Sequence, residues 1–480
     1  MPPSLKQRRG ITFFTQAAPF VSSFVEALNV ALEKHKPGCG LSRIQKGWIC
    51  FCIMAILMTN SVCWARFERA GLGRYSLAAL SWIFRQSKIP WELLLTMSVR
   101  VVLSRYGIKE GSLVEDDTDK RRSKSTTKIG LVHKLKDKAT GGFLMGQCIV
   151  FLVLVTPKIT VPVGFKFYMP DPALTEWNKK EKARKKLRIP VQQRPPKPQK
   201  NADYPTKQEL ALCLIEEFRR DHPDVKIRCI VADALYGTGP FVDRASSIYG
   251  GIQVISQLRT DQNILFRNKK MTVEQYFVKH PGIPQKITIR GGKQMSAVIG
   301  SARLHVCAHG KKRFVIALKY EGEDQYRYLV ASDMSWRTID IVQANTQRWL
   351  IEVFNEDWKQ NEGWGKLTKQ QGEEGSDRSL ILSLLTDHCL LLHPEQLARI
   401  ENELPAYTVG SLVARVRVEA LLALIHELIS SEDPNEGLNQ LGEKIKETFS
   451  LEPSKKHMIG RDLGRLEPTP SLKYKAAAAG

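Results

Sequence analysis

The stretch FLMGQCIVFLVLVT, residues 143–156, admits few folds. From Cys148 to Val155 every position is apolar, so it cannot be a strand with one wet face, which would alternate. A strand of this kind needs apolar cover on both sides, and helices supply that cover in α/β proteins. The neighbouring sequence agrees. ITVPVGFKFYM (159–169) reads as its hairpin partner, TKQELALCLIEEFRRDH (206–222) as a helix, and VKIRCIVAD (225–233) as another buried strand ending in Asp233.

Helical patterns flank this region. FVSSFVEALNVALEKH, RYSLAALSWIFRQ and PWELLLTMSVRVVLSRYG carry apolar residues at three- and four-residue spacing, as a helix-turn-helix-like module or a plain bundle would. Between Gly47 and Ala65 nineteen residues carry no charge, long enough to span a bilayer. Thr59, Asn60 and Ser61 interrupt the run, so a buried core helix is expected and a membrane span is the rival. KITIRGG, MSAVIGSARLHVCA, KRFVIALKY and YRYLVAS read as a β-meander, and helices return from about 338 to about 450. Residues 178–200 hold ten basic residues, one acidic residue and four prolines, and read as a linker suited to phosphates. The expected organisation is a helical N-terminal domain at 1–108 and an α/β domain at 109–395, with a β-rich insertion at about 245–335. A helical C-terminal region with a basic tail follows at 396–480.

The charge balance narrows the partners. Seventy-two Lys and Arg against forty-nine Asp and Glu leave +23, which draws polyanions and makes nucleic acid the first partner to consider. The nine cysteines contain no CxxC pair and sit mostly in apolar runs, which fits reduced thiols in a cytoplasmic protein. No signal peptide is expected, because polar residues break the stretch after Lys6, Arg8 and Arg9.

Three acidic positions stand out by context. EDDT (115–118) and VAD (231–233) place carboxylates where an apolar strand ends, and ligands collect at such ends in open α/β sheets. The third is Glu352 in NTQRWLIEVFNEDWK, residues 345–359. At 100° per residue Asn345, Arg348, Glu352 and Lys359 share an arc of roughly 60°, opposite Leu350, Ile351, Phe354 and Trp358. By itself that face is an exposed ion pair worth a few tenths of a kcal/mol, and Glu356 borders the same arc. Together with the strand-end Asp residues it offers hard oxygen ligands for Mg²⁺, and two such ions roughly 4 Å apart catalyse in-line phosphoryl transfer. GxxxxGK[ST], HExxH and GxSxG are absent.

These residues resemble a known family. NTQRWLIEVFNEDWK is similar to the Y-x2-R-x3-E-x6-K signature of the cut-and-paste DDE transposases of bacterial insertion sequences. EDDT resembles that family's first Asp motif, and VADALYG its second. The resemblance covers about residues 100–395 and implies an RNase H-like catalytic core with a β-rich insertion. It implies that Asp116 or Asp117, Asp233 and Glu352 hold two Mg²⁺ ions, with Mn²⁺ able to substitute. Arg348 and Lys359 would contact phosphates, and Asn345 stands where the signature has Tyr. Lys120, Arg121, Arg122 and Lys124 would lie beside the scissile phosphate, and Tyr328 would stack a flipped base. The implied activity is cleavage of double-stranded DNA at inverted-repeat ends and joining of the 3′-OH to target DNA. The implied setting is a homodimeric synaptic complex in the bacterial cytoplasm, associated with the nucleoid and not with a membrane. The rivals are an RNase H-like nuclease or junction resolvase and a catalytically inactive DNA-binding relative.

Overall fold

A computed structural model describes residues 16–122, 127–137, 140–289, 292–365 and 370–449. Five helices come first: α1 (Pro19–His35), α2 (Arg43–Thr59), α3 (Trp64–Ala70), α4 (Leu77–Gln86) and α5 (Trp91–Tyr106). Ser42 and Gln45 close a capping box that starts α2. Gly107, at φ 62, ends α5 in a left-handed position that a side chain would strain.

The uncharged run spans most of α2, the turn after it and the start of α3, and most of it is buried within the protein. Among the described residues no single helix is long and apolar enough to cross a membrane; α2 and α3 reach that length only as a pair bent by 89°. The core around α2 includes Ile381, Leu382, Leu385 and Cys389 of α12 (Gly372–Leu391), and Leu412, Val413 and Val416 of α14 (Val409–Ile429). The boundary expected at 108 thus separates helix from strand, but not one core from another.

A mixed sheet follows. Its first half is β1 (Glu110–Arg122), β2 (His133–Lys136), β3 (Phe143–Val155), β4 (Thr160–Tyr168), β5 (Lys226–Ala232) and β6 (Gln253–Leu258). Between them lie α6 (Pro172–Lys186), α7 (Lys207–Asp221) and α8 (Gly239–Ile248). The second half is β7 (Asn263–Phe266), β8 (Lys269–Thr272), β9 (Ile283–Thr288), β10 (Gln294–Val306), β11 (Lys311–Tyr320) and β12 (Arg327–Ala331), with α9 (Val273–Lys279) before β9. All twelve strands form one sheet, in the order β2-β3-β1-β5-β6-β12-β11-β10-β7-β8, with β4 beside β3 and β9 beside β10. β3 runs antiparallel to β1 and β4, while β5 and β6 run parallel to β1. The β-rich insertion continues this sheet through β12, which pairs with β6. The chain closes with α10 (Thr338–Thr346), α11 (Trp349–Asn361), α12, α13 (Pro394–Glu401), α14 and α15 (Pro434–Thr448).

Three expectations change. β1 does not stop at its carboxylates; it runs thirteen residues, because Lys120, Arg121 and Arg122 go on pairing with Gln147, Gly146 and Met145. Residues 178–200 are not a bare linker, since α6 and a folded-back strap occupy them. The helix read across 345–359 breaks at Gln347 and Arg348, which leaves Asn345 at the end of α10 and Arg348 capping α11.

The sheet is covered on both sides. α7 and α8 pack with Leu113, Ile230 and Ala232 on one face, whereas α10 and α11 pack with Val114, Phe151 and Val231 on the other. α11 is seated by aromatic contacts: Phe354 and Trp358 lie 5.6 and 5.1 Å from Phe151. Trp358 Nε1 also donates to Ser383 Oγ of α12 at 2.8 Å. Trp358→Ala should therefore lower the unfolding free energy by roughly 3–5 kcal/mol in chemical denaturation. A loss below about 1 kcal/mol would contradict this seating.

Candidate active site

β1 and β5 run parallel with Glu115 opposite Ala232. The next residues, Asp116 and Asp233, consequently fall side by side, on backbones roughly 5 Å apart. Alternation turns both toward the α10/α11 face, since Val114 and Val231, two residues earlier, belong to that core. Burial pushes the Asp116 carboxyl up to about 6; the Asp117 N–H and Arg348 oppose this, while Asp233 adds to it.

Arg348 bridges the carboxylates. Its Nη2 lies 2.6 Å from Glu352 Oε1 and its Nη1 lies 3.4 Å from Asp116 Oδ2. The seating of α11 explains this, because Phe151, under the helix, is the residue that pairs with Asp116 across the β1–β3 ladder. Glu356 is exposed and accepts a hydrogen bond from Gln360 at 3.0 Å, so it does not compete with Glu352.

Strand parity separates the two candidate Asp residues. Asp117 faces α7, where Lys207 Nζ lies 2.7 Å from its Oδ2 and Cys148 Sγ lies 3.5 Å away. Burial disfavours the Lys207 charge, yet Cys148 and Asp117 hold its pKa above the ordinary lysine value. Asp117, Asp119 and Cys148 are also, among the described residues, a group whose donor atoms all lie within 4.8 Å of one another. A protein cation already sits on that group. Glu115, one residue before Asp116, is fully buried with neither oxygen hydrogen-bonded, and burial followed by the Asp116 charge pushes it well above the usual carboxylate range.

The cations are more enclosed than their sequence implies. Lys359 Nζ donates to Thr118 Oγ1, two residues along the same face from Asp116, and burial lowers its pKa. Lys120 Nζ donates to the Trp364 carbonyl, and burial, then Arg122 and Lys359, push it down to about 7. Arg122 lies 5.5 Å from the Trp364 ring centre and donates from Nη2 to Gln147 Oε1 at 2.6 Å. Lys120 and Arg122 are thus inward strand residues rather than a basic loop, while Arg121 is exposed. Lys124 lies outside the described residues.

Tyr328 does not present a face to a base. It is 3% exposed and stacks on Phe277 at 5.8 Å inside the core of the insertion. A cavity of about 420 Å³ opens instead beside Arg348, lined by Ile289, Met295, Tyr320, Asn345 and Trp349. Trp349 is 59% exposed, and the Asn345 Oδ1 is buried there without a partner. The helical wheel carried a signal for Trp349, since it falls beside the polar arc, about 40° from Asn345 and about 100° from Leu350, where an indole has no core to enter.

The chain matches no protein-family model and no curated protein.

The lowered pKa of Lys120 gives a pH test. Between about pH 7 and its ordinary value near 10.5 the unfolded chain binds the proton that the folded chain has lost, so folding stability rises with pH across this window. From pH 7 to pH 9, wild type should gain about 2 kcal/mol relative to Lys120→Met in paired denaturation curves. Parallel curves would show an ordinary lysine.

Proposed function

We propose that the protein is a metal-dependent DNA transposase of the DDE type. The observation that carries this reading is the meeting of Asp116, Asp233 and Glu352 from two parallel strands and a helix, with Arg348 and Lys359 beside them. The order β4-β3-β1-β5-β6, with β3 antiparallel both to β4 and to the parallel trio β1, β5 and β6, supports an RNase H-like core. The surplus of +23 supports a polyanionic substrate.

The donor set fits Mg²⁺. It consists of carboxylate oxygens, and Asp116 and Asp233 repel each other in a half-buried setting that a divalent cation would relieve. Asp116, Asp233 and Glu352 are the residues that would hold the metal, which when bound activates water or a 3′-OH and steadies the charge on the phosphate. Arg348 would exchange its carboxylate partners for the phosphate flanking the cut. Lys359 would hold the backbone on the other side of Thr118. The Trp349 cavity would take the flipped base, with the Asn345 amide oxygen as an acceptor. Leu421, Leu422, Ile425 and Ile429 lie exposed along α14 and support a homodimer through the C-terminal helices.

With duplexes spanning the inverted repeats that flank the reading frame, wild type should nick both ends in Mg²⁺ and yield strand-transfer product. Asp233→Ala and Glu352→Ala should bind these ends and cut neither; normal cutting by either variant sinks the assignment. Trp349→Ala should weaken end cleavage by roughly 10- to 100-fold, the value of one base stack, and abolish the fluorescence rise of 2-aminopurine at the flipped position. Full cleavage with an unchanged signal would move the base elsewhere.

A further inference from the structure

α6 contributes no apolar side chain to any core, and its buried residue is Glu181. A helix that is polar all round gains little from packing, so something else must account for its side chains. Local bonds hold it. Arg194 Nη1 lies 2.9 Å from Glu181 Oε1, Arg194 Nη2 donates to the Ile189 carbonyl at 2.6 Å, and Trp177 Nε1 donates to the Pro195 carbonyl at 3.3 Å. These contacts fold the strap 187–200 back along one face of α6.

The opposite face is cationic. On the helical wheel Glu181 and Trp177 lie about 40° apart, and Lys179, Lys182 and Lys186 fall within about 60° on the far side. All three lysines are exposed, and among the described residues none has an ion-pair partner. Segment 178–200 carries ten basic residues against one acidic, a large share of the chain's +23.

The arm stands at the site's edge of the sheet. The strap ends where Lys200 bonds Glu209 at the start of α7. Two residues before Glu209, Lys207 at the first position of α7 holds Asp117 of β1. Gln208 Nε2 donates to the Leu235 carbonyl at 2.6 Å, and Thr238 Oγ1 donates to Gln208 Oε1 at 3.1 Å, which ties the start of α7 to the loop after Asp233.

We propose that the Lys179–Lys182–Lys186 face of α6 binds the phosphate backbone of duplex DNA without regard to sequence, alongside the DNA held at the carboxylates. Its place beside a cutting site rests on the transposase reading, whereas its binding of DNA does not. The ligand is a polyanion rather than a lipid surface, because an interfacial helix needs an apolar face and α6 offers Leu187 and Val191 only beyond its end.

The test uses full-length protein and a short random-sequence duplex, with affinity measured by fluorescence anisotropy over a range of salt concentrations. K179Q/K182Q/K186Q should flatten the plot of log affinity against log salt by about 2–3 units, one per lost phosphate contact. In wild type, bound duplex should protect the three lysines from acetylation read by mass spectrometry. An unchanged slope with the lysines still reactive overturns the proposal, as does protection by phosphatidylserine vesicles but not by DNA. If wild type cuts no DNA yet the slope shift appears, the arm stands and the transposase reading falls.

Discussion

The seating of α11 on Phe151 decides where the carboxylates of this protein gather. Phe354 and Trp358 pack on that ring, and Phe151 pairs with Asp116 across the ladder. The apolar stripe of the helix therefore fixes its polar arc over one position of β1. Arg348 reaches Asp116 for that reason and holds Glu352 with its other nitrogen. The parallel register of β1 and β5 then brings Asp233 to the same place. A ladder, a register and an aromatic contact suffice to gather three carboxylates from positions more than a hundred residues apart in sequence.

Burial works against the charges gathered at the site. Asp116 sits beside Asp233 and is offset by Arg348, while Lys120 and Arg122 lie over the Trp364 ring and Lys359 adds its charge to Lys120. Burial lowers the pKa of all three cations. Under the proposed reading this is preorganisation: cations already stripped of water stand beside the place where a phosphate would gain charge. The cost of holding them there falls on folding stability.

The elements legible in the sequence are those whose pattern and packing agree. The β3–β4 hairpin, α7 with its Thr206 cap, β5 ending before Asp233 and the meander β9–β12 all follow from apolar periodicity. β1 was misjudged because Asp119 to Arg122 look like a loop, whereas cross-strand pairing and the Trp364 ring accept them as strand. The choice between Asp116 and Asp117 was not legible, since it depends on which face of β1 meets α11. Tyr328 failed as a stacking residue because a strand aromatic shows its direction only when its neighbours are known, and Phe277 proved to be that neighbour. The α6 arm read as a linker because its Pro-rich half carries no periodicity, although a half-buried Arg194–Glu181 pair orders it.

Under the proposed reading a metal belongs on the Asp116 face of β1 and not on the Asp117 face. Mn²⁺ titration of the DNA-bound full-length protein, followed by the loss of the free-ion signal in electron paramagnetic resonance, tests it directly. Asp116→Asn should abolish tight Mn²⁺ binding while Asp117→Asn keeps it. Retention in Asp116→Asn together with loss in Asp117→Asn would contradict the account and move the metal to the side that Lys207 now fills.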